Sequence, residues 1–376
     1  MNAIRDFIAE CLAVTGHAPE YPEATGSIER FSTNGKRGNR DGYYSLFSDG
    51  DFLAGFVGCW RQGTYSTWHS GKSEGYSITL EQSTRIEAKR RTAEAERTKK
   101  AASRAAIAKQ IYLHAQPANP DHSYLIKKDI TADPVIRAAD LDKKIFFDNP
   151  QQSGMLRNCL LIPVTGEDGN IQTLQAIAPD GTKFFMSGGS MKGGFHLIQG
   201  DDSKVYIAEG YATAATIHAV TGASVYVAFN AGKLKEVAAI AKQRHSTVII
   251  ASDNDHAKAD NVGRKKAEQA AGELGLTVVI PEFNTGSTGT DWNDFFAEYG
   301  EHATREGLSS TSAPVALAPA APTDKAIISA CYKQRALKLA GGIKAVSGDL
   351  QTTSDVVCRS PATALMPPAN FSALCL

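Results

Sequence analysis

Between Lys204 and Glu282 the chain repeats one pattern. Short runs rich in β-branched residues (KVYIAEG, SVYVAFN, TVIIASDND and TVVIPEF) alternate with longer helix-like stretches. The apolar runs are not interrupted by alternating polar residues, which is how strands read when helices cover both faces of their sheet. Strands alternating with helices of this length predict a parallel α/β sheet with right-handed crossovers.

Other periods govern the rest of the chain. Ile4, Phe7, Ile8, Cys11 and Leu12 follow helical spacing over Met1 to Thr15. From Ile28 to Leu80, aromatic-rich runs between Gly-containing turns predict a small antiparallel β module. Glu81 to His114 has neither Gly nor Pro, so it predicts one long helix. Its apolar positions are sparse and mostly Ala, which predicts an exposed connecting element. Leu156 to Gly200 predicts a β meander, with turns at Glu167–Asn170 and Pro179–Thr182. Ser309 to Pro322 has the composition of a Pro/Ala/Ser linker, and Thr323 to Leu376 an irregular tail with one short helical stretch near Ala326 to Leu339. The expected parts are 1–80, 81–116, 117–200, 201–308 and 309–376.

The 376 residues suffice for two or more domains. Forty basic and forty acidic residues cancel, so any nucleic-acid-binding surface must be local. One local excess lies in the long helix, where Arg85, Lys89, Arg90, Arg91, Arg97, Lys99, Lys100, Arg104 and Lys109 outnumber Glu81, Glu87, Glu94 and Glu96. That helix reads either as a phosphate track or as a solvated linker, with the linker favoured. The β module interleaves Arg30, Lys36, Arg37, Arg40, Arg61 and Lys72 with Phe31, Tyr43, Tyr44, Trp60 and Trp68. Such interleaving suits single-stranded nucleic acid, although the same aromatics could simply be the module's core. The six cysteines are scattered, without a C-x-x-C pair, so no zinc site is evident and reduced thiols in a cytoplasm are expected. There is no secretory leader pattern, and no apolar run nears the roughly 20 residues of a membrane span. Gly71-Lys72-Ser73 fails as a P-loop because Ser66 stands where its first Gly is required. Asp253-x-Asp255 fails as an EF-hand start because Ala257 and Lys258 occupy a ligand and the Gly position.

The candidate chemistry lies at strand ends. Glu209 closes the first run of the parallel sheet, and Asp253 and Asp255 close the third. Ligands of open α/β sheets bind beyond the carboxyl ends of strands, so the three acids are expected to meet in one crevice. Spacing of two on a regular strand would put both aspartates on one face. Clustered carboxylates need a counter-charge, and Mg²⁺ or Mn²⁺ is the usual one. For any one of these acids, an ordinary polar strand cap is the competing reading. Asp291 and Asp294 follow the fourth strand and could add ligands or position a nucleotide; Asp291 could equally be a helix N-cap. Lys183, Lys192 in the Gly-rich GGSMKGG loop, Arg264 and Lys265 are candidate phosphate contacts, each with a plain solvated alternative.

IAEGYATAATI followed by IIASDND resembles the Toprim domain, the topoisomerase–primase fold, and DWNDF resembles the tail of its plasmid and phage primase variant. HSYLIKKDI resembles an element of the same primases, and the N-terminal module resembles the segment preceding their Toprim domain. After Asp255 the variant usually has a short Gly-containing turn, where this chain has HAKADNVG. The resemblance implies Glu209, Asp253 and Asp255 as Mg²⁺-dependent catalytic acids. It also implies a β-rich subdomain beside the Toprim sheet, with Lys183 and Lys192 facing a template groove. The expected activity is synthesis of RNA primers from ribonucleoside triphosphates on a single-stranded DNA template, with a replicative helicase supplied in trans. The alternatives are a Toprim nuclease and a single-stranded DNA-binding fragment without activity.

Overall fold

The computed structural model describes residues 2–36, 38–50, 52–71, 80–257 and 261–310. Arg37, Lys72, Lys258 and the expected linker and tail beyond residue 310 lie outside the described residues.

The N-terminal module opens with helix α1 (Asn2–Thr15) and continues into an antiparallel sheet of β1 (Glu29–Phe31), β2 (Gly42–Asp49), β3 (Phe52–Cys59) and β4 (Thr64–His69), paired in sequence order. Strand alternation sends Phe31, Tyr44, Leu46, Val57 and Trp68 to the inner face, against Phe7 and Cys11 of α1. The aromatics thus divide: these three form core, while Tyr43 and Trp60 do not join it.

Helix α2 (Leu80–His114) begins exposed, as its composition implies, but does not stay so. Its last turns carry Ile107, Ala108, Ile111 and Tyr112 on one side, packed on the next sheet. Arg104 is 5% exposed. It donates to the carbonyls of Ser187 (2.8 Å), Ile145 (2.6 Å) and Phe146 (3.0 Å). The expectation of a wholly exposed connector is corrected here, because helical spacing resumes within IAKQIYLHA.

The second sheet is antiparallel, in the order β5 (Gln116–Pro117), β6 (Arg137–Asp142), β7 (Met155–Thr165), β8 (Ile171–Ile177), β9 (Lys183–Phe185). Two short helices, α3 (Ser123–Lys128) and α4 (Lys143–Phe147), interrupt it. The third sheet runs β10–β12–β11–β13–β14. Here β10 is His196–Ile198, β11 Asp201–Ala208, β12 Ala223–Val227, β13 Val248–Ala251 and β14 Thr277–Val279. The last four are parallel, as the apolar runs predict; β10 is an antiparallel edge strand. Sequence alone assigned β10 to the meander, but its strand pairing is with β12; the meander sheet meets it through the Thr165–Phe195 bridge just before the strand and through side-chain packing.

Helix α5 (Tyr211–Thr221) covers one face of the parallel sheet. Helices α6 (Leu234–Arg244) and α7 (Val262–Leu274) cover the other. Tyr206 and Ala208 of β11 point to the α5 side, and Val205 and Ile207 to the α6–α7 side. Helix α8 (Trp292–Ser309) packs on α5. The chain leaves β11 for β12 on one side and later reaches β13 on the other, so the strand order reverses at β11. A crevice beyond such a reversal is where open α/β sheets bind ligands.

Candidate active site

Glu209 is the first residue past β11, at the reversal. Gly210 then caps α5 in an extended conformation, and its carbonyl accepts from Ala214 (3.0 Å). Glu209, Asp253 and Asp291 line one cavity of about 150 Å³ with Lys183, Lys128 and Tyr124. Gln175, Thr213 and Phe229 complete much of the wall. Residues from six stretches of the sequence therefore share one space.

The electrostatics follow from that crowding. Burial raises the Glu209 carboxyl above the usual carboxylate range, the charges of Asp255 and Asp291 add to the rise, and an N–H from Ala231 and the Lys183 ammonium oppose it. Asp253 is raised further, by burial first and then by Glu209, Asp291 and Asp255. Asp253 Oδ1 is shielded from solvent and has no hydrogen-bond partner. Buried carboxylate oxygens left unpaired are costly. The site is short of positive charge, and Lys183 alone does not supply it.

The Asp-x-Asp pair does not lie on a strand. β13 ends at Ala251, so the two-residue spacing argument fails and the loop sets the geometry. Asn254, between the two aspartates, is the anchor. Its N–H donates to the Thr290 carbonyl (2.7 Å), its Nδ2 to the Pro281 carbonyl (2.8 Å), and its Oδ1 accepts from Asn261 Nδ2 (2.7 Å). Asp255 is not among the residues lining the cavity; its N–H donates to Asn261 Oδ1 (3.1 Å), and its charge acts on Glu209 and Asp253 from nearby. A Cβ on Gly263, at the start of α7, would lie 3.4 Å from the Asp253 Cβ and 3.8 Å from Glu209 Oε2, in ordinary van der Waals contact, so the helix starts directly beside the acids.

Asp291 is the N-cap of α8: its Oδ1 accepts from Asn293 (2.8 Å) and Asp294 (2.9 Å). It also faces the cavity, so capping and site membership coexist. Asp294 is engaged elsewhere. It pairs with Lys128 Nζ at 3.1 Å and accepts from the Thr290 N–H at 3.0 Å. Burial would raise its carboxyl, but Thr290 and Lys128 outweigh burial and hold it below the usual range. Among the described residues, no group of three His, Cys, Asp or Glu side chains closes around a common point as a cation cage.

The expected cationic contacts separate. Lys183 Nζ lies 3.8 Å from where a Cβ on Gly210 would stand, inside the site. Lys192 is exposed on a loop whose Gly193 N–H donates to Glu236 (2.5 Å) on α6, and it is not among the lining residues. Arg264 is exposed and paired with Glu268 at 2.8 Å, and Lys265 is exposed beside it. Sequence reading missed Lys128, Gln175 and Phe229 as wall residues. Lys128 carried a signal, being one of the two lysines in YLIKK. Phe229 carried none: its φ of 68° is rare for a bulky residue and belongs to the turn after β12.

Part of the chain is similar to a known domain and to known proteins. Residues 204–302 match the Toprim domain. DNA primase TraC of Escherichia coli is 30% identical over 290 residues, covering 71% of this chain and 25% of that protein. A second Escherichia coli TraC is 29% identical over 282 residues, covering 70% of this chain and 18% of that protein. The chain thus spans a quarter or less of the curated relatives it matches. Among solved structures, the DnaG primase catalytic domain bound to ssDNA aligns at a TM-score of 0.39 with 13% identity, over 58% of this chain and 80% of that one. The Aquifex aeolicus primase, with its zinc-binding and RNA polymerase domains, aligns at 0.40 with 15% identity, over 82% and 83%.

Proposed function

We propose that this chain, which carries a Toprim domain of the plasmid-primase type, is a nucleotidyltransferase that makes RNA primers on single-stranded DNA in the cytoplasm. Its substrates are ribonucleoside triphosphates, its setting plasmid or phage replication, and its helicase partner acts in trans. The observation that carries the reading is the convergence of Glu209, Asp253 and Asp291 on one cavity with Lys183 and Lys128.

The donor set fits a hard divalent cation. All the candidate ligands are carboxylate oxygens, one is buried without a partner, and two carboxyls are raised, by burial first and then by the neighbouring carboxylates. A closed protein cage is not required, because Mg²⁺ usually takes one or two carboxylates and completes its shell with water and substrate phosphates. Mg²⁺ or Mn²⁺ here, held by Asp253 with Glu209 or Asp291, would neutralise charge on the triphosphate. Asp255 lends further negative charge from outside the cavity. Glu209, raised towards neutrality and fixed by the Ala231 N–H, is suited to take the proton of the attacking 3′-hydroxyl. Lys183 neutralises phosphate oxygens, and Lys128, held by Asp294, positions the wall.

The test is primer synthesis from labelled ribonucleotides on single-stranded DNA with Mg²⁺. Asp253→Asn is expected to abolish product and to remove the rise in melting temperature that Mg²⁺ gives the wild-type protein, while its circular dichroism stays unchanged. Full product from Asp253→Asn would overturn the assignment. Shortened template in place of extended primers would identify a nuclease.

A further inference from the structure

The N-terminal sheet has a second face; Ser45, Phe47 and Ala54 are buried on it, but among the described residues no hydrophobic cluster covers its other half. Opposite the residues that meet α1 stand Arg30, Tyr43, Phe56 and Tyr65, with Trp60 just past the end of β3. Trp60 is 55% and Tyr65 46% exposed. Their rings form a continuous ladder. Trp60 stacks on Tyr43 at 4.2 Å and 27°, Tyr43 meets Phe56 at 6.2 Å, and Phe56 meets Tyr65 at 5.7 Å and 32°. The Arg30 guanidinium lies 6.0 Å from the Trp60 ring centre. Gly58, paired across from Tyr43, makes the ladder possible: a Cβ there would stand 2.5 Å from the Tyr43 hydroxyl and 2.6 Å from the Thr64 carbonyl. Glycine in a strand interior weakens it, so its presence marks a ring laid flat across the backbone.

Charge accompanies the rings. At the Phe56 end the face opens into a groove of about 630 Å³. Arg90, Arg97 and Lys100 of α2 form one wall, and Gly188, Gly189 and Ser190 another. Glu94 also lines it, and Lys100 is shared with Asp148 at 2.7 Å. Arg97 holds no carboxylate among the described residues; its Nε donates to the Ala93 carbonyl at 3.1 Å. At the other end the turn after Trp60 reaches α7, where a Cβ on Gly63 would fall 2.5 Å from Lys266 Nζ. The same helix begins beside Asp253. The ladder therefore runs from the basic groove towards helix α7, whose first turn adjoins Asp253.

We propose that this aromatic face and the α2 wall form a track for single-stranded DNA, with bases stacked on Trp60, Tyr43, Phe56 and Tyr65 and phosphates on Arg30, Arg90 and Arg97. Exposed stacked rings flanked by guanidiniums match a polyanion with flat apolar bases, and every base offers a π-face, so the track binds without reading sequence. A duplex hides its bases and cannot use the rings. The choice of DNA rests on the primer-synthesis reading above; the track itself does not depend on that chemistry.

The test uses the full chain without Mg²⁺ or nucleotides, so that it is blind to catalysis. A fluorescently labelled oligothymidylate of roughly 16 nucleotides, the upper range for one small β-sheet site, is titrated by anisotropy. Trp60→Ala and Tyr65→Ala are each expected to weaken binding about 5- to 100-fold, and Arg97→Glu to weaken it while flattening its salt dependence. Oligothymidylate should quench the tryptophan emission of wild type, a change assignable to Trp60 because Trp68 and Trp292 are buried. Unaltered circular dichroism and melting would show that the variants fold. Asp253→Asn should bind like wild type, which separates failure of the track from failure of the active site. Wild-type affinity in folded Trp60→Ala and Tyr65→Ala would overturn the proposal, as would equal binding of duplex DNA; tighter binding of oligouridylate would overturn the choice of DNA.

Discussion

His196 on β10 is 2% exposed, and its Nε2 has no partner. Burial pushes its imidazole down to about 4, against the opposing pull of Asp133. The unfolded chain takes up this proton near the ordinary value of about 6.5, whereas the native state refuses it until about 4. Between those values the unfolded state binds more protons, so acid draws the equilibrium towards unfolding. Stability should therefore hold above about pH 6.5 and fall on acidification, by up to about 3 kcal/mol from this group. Urea melts at pH 7 and pH 4.5, compared between wild type and His196→Leu, isolate it. The variant should lose less stability on acidification, and an identical loss in both would show that another group carries the effect.

The elements explain what was legible in sequence. β11 to β14 are buried on both faces, so their apolar runs announce a parallel sheet, and Glu209 at the end of the first run falls where the strand order reverses. The Asp-x-Asp loop was legible as two carboxylates following the third run but not as geometry, because side-chain alternation stops with β13 at Ala251 and the loop is held by bonds to residues 261, 281 and 290. Nothing local to Asn254 reveals those partners. Arg104 was misread for the same reason: its three carbonyl acceptors come from residues 145, 146 and 187, and only the tertiary fold turns a surface cation into a clamp. The aromatic module was ambiguous because strand pairing, not composition, sends Tyr44 inward and Tyr43 outward. Asn254→Ala tests the loop. It leaves the Pro281 carbonyl and the Asn261 amide without their partner, a cost of about 1–3 kcal/mol by denaturant melt. Loosening Asp253 and Asp255 should also lower primer synthesis by at least about tenfold, since catalysis by position is lost with small displacements. A variant less stable but fully active would mean that the loop does not set the site.

On the scale of the whole molecule, the similarity to a Toprim domain ends where the packing does not. The match covers residues 204–302. Yet one hydrophobic cluster joins Ala208, Ile217, Val225 and Trp292 of that region to Tyr124 of α3 and to Leu160, Ile162 and Ile177 of the preceding sheet. That sheet in turn rests on α2 through Ala108, Leu161, Leu174 and Phe146, and Arg104 fastens the joint. The N-terminal module keeps its own core around Phe7, and meets α2 through exposed pairs such as Arg85 with Asp49 at 3.5 Å. Exposed pairs of this kind contribute about 0–1 kcal/mol, whereas a buried Leu or Ile contributes about 1.5–3 kcal/mol. The energetic border therefore lies between the module and α2. A fragment of residues 201–310 should show helical circular dichroism but bind a hydrophobic dye and lack a cooperative melt, because its α5 face has lost its cover. A fragment of residues 100–310, which retains Arg104 and the packed end of α2, should melt sharply and keep Mg²⁺-induced stabilisation while losing affinity for oligothymidylate. A sharp, dye-free melt of the shorter fragment would show that the parallel sheet folds alone and that the shared cluster is a contact between independent parts.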